Sequence, residues 1–367
     1  MSWPTNLGGH VAVDRTPAVE GAAAPDAPAP PSRWRRVGPV LALMALAPWT
    51  AECSWGGFTA VDALVVVVVL APMYGGAAVL IRETARRTGG GWPAVVLLAA
   101  AFGSVQAGLV DQSLFNPAFL ADTEFADTQA TANATLVPGL GFSAQQAVDY
   151  IGNHIMLSIC APIAIIESFL TPGHRRQPWL GRLGLVVVGA LYLLGSLLVF
   201  SDDGGRKGFL ASPVQLSFAA LLTLVLIGAA LLPRWRHRPE RRQGPERGRG
   251  PAGARAPRPI WPALVVLVAY LGTALVTGWI GVGFKAAVAG MAAAVIVAWS
   301  RRSGWRQRHV LAAWAAGVVG AAALAYAAPS YKPASPAEAL IGDITVSVIT
   351  IALVGGAFWR LRGRPGR

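Results

Sequence analysis

Residues 61–81 read VDALVVVVVLAPMYGGAAVLI and contain one charged residue, Asp62. A helix needs about 20 mostly apolar residues to cross the hydrocarbon core of a bilayer. In hydrocarbon the backbone satisfies its hydrogen bonds only within a helix or a closed barrel, and this run lacks the alternation of polar and apolar residues typical of a barrel strand. The stretch therefore predicts a transmembrane helix.

Further apolar runs of similar length divide the rest of the chain. Together they predict an all-α, polytopic integral membrane protein with about ten transmembrane helices. The predicted spans are residues 37–55, 61–81, 92–111, 148–170, 183–200, 212–232, 260–280, 284–300, 309–328 and 340–358.

The composition agrees with a protein surface in contact with lipid. Apolar residues make up 54% of the 367 residues, charged residues only 13%, and the mean hydropathy is +0.50. A soluble protein of this size needs more polar surface. The net charge of +13 lies in short basic flanks beside the apolar runs, so we expect no nucleic-acid partner. Cys53 and Cys160 supply neither a disulfide framework nor a metal-binding set.

Basic residues gather in every second gap between spans, as the positive-inside rule requires. With the N terminus inside, the outer side carries only four of the 31 Lys and Arg residues, which are Arg206, Lys207, Lys285 and Lys332. We therefore predict that both termini are cytoplasmic and that the protein lies in the plasma membrane.

The gaps also predict the organisation of the chain. A six-helix region, 37–232, contains a long outer loop, and a basic Pro/Gly/Arg linker joins it to a four-helix region. The linker is a candidate for contact with anionic lipid headgroups. The remaining parts are a disordered tail, 1–36; the outer loop, 112–147; the linker, 233–259; the second region, 260–358; and a basic tail, 359–367.

Polar side chains inside the spans are the candidate functional residues, because such groups are costly in a bilayer and face protein or water. Gln106 and His154 fall at similar depth, so the two side chains could meet. The alternatives are a hydrogen-bond network, a proton-linked or solute-binding role for His154, and catalysis. We expect no metal and no cofactor. The cluster comprises Gln106, Asp111, Asp149, Asn153, His154 and Ser158.

Other residues qualify this interpretation. Pro48, Pro72 and Pro162 interrupt spans one, two and four, which suggests either a cavity or irregular packing. Ala313, Gly317 and Ala321 have the spacing of a helix-packing face. The inner residues Arg82, Glu83 and Glu167 are expected to be interfacial anchors that reach water, with an Arg82–Glu167 pair as the alternative.

Residues 74–83, YGGAAVLIRE, are followed by GWP at 91–93 and by AFG at 101–103, which leads to Gly108. These segments resemble an uncharacterised family of bacterial multi-pass membrane proteins. Its members carry a YGxGAxLIRE-type segment, a GWP, and an A-[YF]-G segment leading to Glu-Glu-Gly. The resemblance covers roughly residues 40–182 and implies a bacterial membrane protein without implying an activity.

The Glu-Glu of that family resembles the EExxxR motif of CAAX-type membrane proteases, which together with FxxxH activates water. Here Gln106 and Ala107 replace the two carboxylates, Asp111 replaces the arginine, and Tyr150 to His154 keep the aromatic-xxx-His spacing. Neither an amide nor a methyl group accepts a proton near neutral pH, so proteolysis by this route is disfavoured. A pseudoenzyme with a substrate-like groove stays an alternative.

The leading hypothesis is a non-enzymatic membrane protein of transporter-like or partner-binding type, with any cavity among the first four spans. One alternative is a membrane hydrolase or acyl-type transferase that uses His154 with Asp149 or Asp111, for which the sequence shows no nucleophile. The other is an accessory subunit whose outer loop and inner linker bind partners.

Overall fold

The structure is a computed structural model that describes residues 33–202, 206–235, 255–331 and 333–362, and within them it is all-α. The predicted tail at 1–32, the middle of the linker at 236–254 and the tail beyond 362 lie outside the described residues, as does Lys332. The main helices are α1, Arg33–Pro48; α2, Ala60–Arg87; α3, Trp92–Val110; α4, Ala126–Asn133; α5, Ala144–Phe169; α6, Arg182–Ser201; α7, Pro213–Ala230; α8, Ile260–Thr273; α9, Gly278–Ser300; α10, Gln307–Ala325; and α11, Pro336–Arg362.

Eight of these helices are long and apolar enough to cross a membrane, which confirms the polytopic all-α class. The two predicted spans that fall short are α1, which a short π-helical segment extends to Cys53, and α8, which has 14 residues. The expected boundary between spans seven and eight was wrong. Because α8 ends at Thr273 and α9 begins at Gly278, Lys285 lies inside α9 rather than in an outer connection.

Hydrogen bonds between the connections show that these connections lie at two opposite faces of the bundle. The face predicted to be outside is joined by bonds from Tyr331 to Gly57, from Ala211 to Gln112, and from Gly278 to Gln145. The face predicted to be inside is joined by bonds from Gly91 to Trp235, from Ala256 to Ser303, and from Gln307 to Ser168. Both α1 and α8 begin on the inner face and end on the outer one, so they cross the bundle as the eight longer helices do.

Three helices form the centre of the bundle. In the most apolar 18-residue stretch of each helix, 72% of the residues of α3 and 67% of those of α5 and α10 are buried. The corresponding stretches of α6, α7, α9 and α11 have only 11–17% of their residues buried, and the rest face outward. Gly317 lets α10 approach α5, because a Cβ atom there would lie 2.4 Å from Cγ of Met156. With Ala313 and Ala321 also buried, the predicted packing face is confirmed.

Within the described part of the first region, four π-helical segments, in which the turns are wider than in an α-helix, interrupt the helices. Proline accompanies three of them, since Pro48 precedes the first, Pro72 lies within the second and Pro162 follows the fourth. Proline lacks a backbone N–H and so disturbs regular α-helical bonding. The segments are Trp49–Cys53, Ala71–Gly75, Gln106–Val110 and His154–Cys160.

The long outer connection between α3 and α5 folds into a compact cap that contains α4. Gln112, at φ 57°, accepts a bond from Ala211 N over 2.7 Å, and Lys207 pairs with Asp122. Phe125 packs against Trp55 with ring centroids 5.6 Å apart. The cap therefore lies over the outer ends of the first helices.

At the inner face, Arg82, Glu83 and Glu167 are not water-facing anchors, so that expectation was wrong. All three are at most 1% exposed. The alternative pair is present, with Arg82 Nε donating to Glu167 Oε1 over 3.2 Å, and Arg86 donates to both oxygens of Glu167 over 2.8 Å. Burial of a charge requires this kind of pairing.

This inner charge cluster, completed by Arg87, also holds the connection between α5 and α6. The Arg82 guanidinium stacks 3.4 Å from the ring centroid of Trp179. Glu83 accepts bonds from the backbone N–H groups of Trp179 and Leu180 over 2.7 and 3.2 Å. The LIRE segment, residues 80–83 of α2, therefore joins α2 to α5 and to the connection between α5 and α6. This segment has a structural role.

Candidate functional site

A polar cluster forms where the π-helical segments of α1, α2 and α5 meet beside the end of α3. The hydroxyl group of Tyr74, in the second segment, donates to Oε1 of Glu52, in the first, over 2.5 Å. The Tyr74 ring also packs edge-on against His154, in the fourth segment, with centroids 5.8 Å apart. Gln106 is the polar residue of the third segment, in α3. We call Glu52, Tyr74, Gln106, Asp111, His154 and Ser158 the π-turn cluster.

His154 lies between aromatic rings and one hydroxyl group. Its Nδ1 atom is 3.1 Å from Oγ of Ser158, one helical turn further along α5. The Phe102 ring lies 5.4 Å away between centroids, and a Cβ atom on Gly103 would stand 3.1 Å from Cβ of His154. The absence of a side chain at Gly103 thus lets the imidazole sit against α3.

Gln106 and Asp111 form the outer part of the cluster. The Nε2 atom of Gln106 donates to Asp111 Oδ2 over 3.3 Å, and the backbone N–H of Ser113 donates to Asp111 Oδ1 over 2.9 Å. Gln106 is only 2% exposed, and its Oε1 atom has no hydrogen-bond partner among the described residues. An unpaired buried acceptor is costly, so this atom marks a place for a donor.

Three members of the cluster keep some accessible surface. Glu52, Asp111 and His154 are half-buried, whereas Tyr74, Gln106 and Ser158 are buried. Two cavities of about 120 and 400 Å³ lie elsewhere, near Asp62 and between α10 and α11.

Asp149 and Asn153 belong to a different contact. They lie on a stripe of α5 that faces the second helical region, where Lys285 Nζ is 2.7 Å from Asp149 Oδ1. The hydroxyl of Tyr270 is 3.5 Å from Asn153 Oδ1. The four predicted residues of α5 are thus divided between two stripes of that helix, because residues four apart share a helix face and adjacent stripes point to different neighbours.

The contact that the sequence allows between Gln106 and His154 is replaced by bonds to Asp111 and Ser158 respectively. Sequence reasoning missed Glu52 and Tyr74, which link the segments. Two signals were available, since Glu52 is an acidic residue at the end of an apolar span and Tyr74 opens the Tyr-Gly-Gly of the irregular span.

The side chains of the site can form hydrogen bonds, and carboxyl and imidazole groups are the kinds of group that can exchange protons. Within the described ranges no three His, Cys, Asp or Glu side chains are grouped to hold a metal ion. The hydroxyl group of Ser158 is a nucleophile that the sequence had not suggested, and it contacts His154. The acids expected to assist His154 instead bond elsewhere, Asp149 to Lys285 and Asp111 to Gln106.

Comparison with known proteins adds no family to this description. No protein-family model, no curated protein and no solved structure matches the chain.

Proposed function

We propose that the protein is a non-enzymatic, transporter-like membrane protein that binds a small polar solute at the π-turn cluster. The observation that carries this proposal is the convergence of π-helical segments from α1, α2 and α5 on one group of polar side chains, with α3 packed against His154 through Phe102 and Gly103. π-Helical turns occur frequently at functional sites, since they redirect side chains and leave backbone groups free for other partners. Ionisable side chains within a helical bundle mark solute or ion pathways by default.

The position of the cluster supports binding from the outer face. Asp111 directly precedes the cap, and Glu52 lies three residues before Trp55, whose ring packs on Phe125 of the cap. A solute entering from that face would pass the cap before it reached Tyr74. We place this face outside the plasma membrane, in agreement with the charge of the connections.

Thermal unfolding of the detergent-purified protein with a panel of small polar solutes tests the proposal. We expect at least one solute to raise the unfolding temperature of the wild type, because a ligand that binds the folded state stabilises it. His154→Ala and Glu52→Gln should lose that rise, whereas Gly189→Ala, in α6 with open space around it, should keep it. The same response of wild type and His154→Ala to every solute would remove the site.

A membrane hydrolase, active or degenerate, is the second candidate, and one contact favours it. Ser158 Oγ and His154 Nδ1 lie 3.1 Å apart, within the reach that activation of a nucleophile requires. Labelling by a fluorophosphonate probe that is lost in both Ser158→Ala and His154→Ala would support this candidate over the first. Absence of labelling in the wild type would count against it.

We also propose that the linker, 233–259, contacts anionic lipid headgroups. Each basic residue near such a surface contributes about 1 kcal/mol of attraction. The described ends of the linker lie at the inner face, where Trp235 O accepts from Gly91 N and Pro257 O lies 2.9 Å from His309 Nε2. Equal binding of a 233–259 peptide to neutral and anionic vesicles would contradict this part of the proposal.

A further inference from the structure

The charges around the π-turn cluster are unbalanced. Among the described residues neither Glu52 nor Asp111 takes part in an ion pair, although the paired acids Glu83, Glu167 and Asp149 each face a cation. Glu52 has one hydrogen-bond donor, Tyr74, and Asp111 has the Gln106 amide and the backbone of Ser113. Two carboxyl groups therefore share this region without a Lys or Arg partner among the described residues, and the imidazole of the cluster, His154, packs against Tyr74 and contacts Ser158.

The titratable groups that interact with these two carboxyl groups are themselves acids. Glu52 and Asp111 interact electrostatically with each other and with the Tyr74 hydroxyl. Glu52 also lies within electrostatic range of the Cys53 thiol and of Tyr331 in the outer connection, and Asp111 lies within that range of Tyr150 in α5. Two carboxylates that share a partly buried site bind a proton more readily than an isolated carboxylate does.

Two further observations point to a bound proton. Asp111 is half-buried at the end of the α3 span and has no Lys or Arg partner among the described residues. The Gln106 amide contacts Asp111 through Nε2, and its buried Oε1 atom has no donor among the described residues. Rotation of this amide by about 180° would turn Oε1 toward Asp111. A protonated Asp111 carries an O–H that can donate to an amide oxygen, whereas the ionised form can only accept.

We propose that Glu52, Tyr74 and Asp111 form one proton-binding unit, and that the proton on this unit is the ion coupled to solute binding at the π-turn cluster. The coupling rests on the function proposed above, whereas the proton-binding unit itself does not. Proton exchange here requires only transfer between water and a carboxyl oxygen. The Tyr74 hydroxyl keeps its proton and donates it in a hydrogen bond to Glu52.

Infrared difference spectra of the full-length protein in lipid nanodiscs, recorded as the pH is lowered from about 8 to about 5, test the unit. A protonated carboxyl group has a C=O band that the carboxylate lacks. We expect the wild type to gain this band, Glu52→Gln and Asp111→Asn each to lose part of it, and Tyr74→Phe to shift it by removing the hydrogen bond. Asp122→Asn removes an exposed carboxyl group of the cap, and this control should keep the band.

Spectra of Glu52→Gln and Asp111→Asn that match the wild type in this pH range would overturn the unit. Size-exclusion chromatography identifies variants that fail to fold, and Tyr74→Phe, which retains both carboxyl groups and the aromatic ring, then decides the question through the band shift. The solute panel separates the two proposals. A titrating band without solute-dependent stabilisation supports the unit and overturns its coupling to a solute, whereas stabilisation without the band overturns the unit and leaves the binding function.

Discussion

The hydroxyl group of Tyr74 donates a hydrogen bond to Oε1 of Glu52 over 2.5 Å, and this bond joins the π-helical segments of two different helices. Next to Tyr74, Gly75 lets α1 and α2 touch through their backbones. The Tyr-Gly pair thus fixes both the polar contact and the close approach that makes it possible.

Substitution Gly75→Ala should destabilise the protein by about 1–3 kcal/mol, the usual cost of overpacking a tight contact. An added Cβ atom would lie 2.5 Å from both Cα and O of Met44, so a backbone would have to move. Gly189→Ala is the matched control, since nothing lies within 4 Å of a Cβ atom there. Reversible unfolding in mixed micelles measures the difference, and equal stability of the two variants would refute the close contact.

Removal of one carboxylate from the inner charge cluster should be severe. Glu167→Gln leaves Arg82, which is fully buried, without its carboxylate partner on α5, and we expect a loss of about 3–5 kcal/mol. The measurement is unfolding in detergent, with protein yield as a second readout. A loss below about 1 kcal/mol would show that the guanidinium groups reach water and do not depend on Glu167.

Asp122→Asn is the exposed counterpart of Glu167→Gln. Its partner Lys207 lowers the pKa of Asp122 through a hydrogen bond, so any stabilisation is present at neutral pH and is lost as the pH falls through the folded-state pKa. Because Asp122 is exposed, solvent screening should keep the loss at pH 7 below about 1 kcal/mol.

The Lys285–Asp149 pair should couple the two helical regions. Lys285 has a side chain only 10% exposed, so Asp149→Asn alone leaves a largely buried ammonium group without its carboxylate. We expect Asp149→Asn to cost more than the double variant Asp149→Asn/Lys285→Met, since the double variant removes the unpaired charge. A double-mutant cycle measures this coupling, and strictly additive effects would show that the pair does not hold the regions together.

Much of this architecture follows from the sequence because hydropathy and charge act locally. The predicted spans match the helices within a few residues at most boundaries, but the predicted boundary near Lys285 was wrong. The lysine lies near the start of an apolar run, and the sequence therefore indicated that it belonged to the connection before that run. Its position inside α9 is explained by its partner Asp149 on another helix. Such a pairing depends on tertiary packing, which a single sequence does not display.

The candidate site was predictable only in part, for a similar reason. His154, Ser158, Gln106 and Asp111 were found as polar residues within apolar spans. The sequence does not reveal which stripe of α5 faces which neighbour, so Asp149 and Asn153 were grouped with them. Prolines indicated three of the four irregular helices. The π-helical segment Gln106–Val110 contains no proline, so the sequence did not predict it.

Cysteine labelling tests the orientation of the bundle. Thr128, exposed on the cap, and Ser303, exposed in the connection between α9 and α10, lie on opposite faces. We expect an impermeant maleimide to label Thr128→Cys on intact cells and Ser303→Cys only after permeabilisation. The native Cys53 and Cys160 are both buried and should contribute little background. Labelling of both variants on intact cells would contradict the alternate crossing of α1 to α11.

The claim that the π-turn cluster is the functional site is tested most directly in proteoliposomes that enclose a pH-sensitive dye. Addition of each solute of the panel should, for at least one solute, move protons in vesicles containing wild type or Gly189→Ala but not in vesicles containing Glu52→Gln. Proton movement in Glu52→Gln vesicles equal to that of the wild type, or none in wild-type vesicles beyond that of protein-free vesicles, would contradict it.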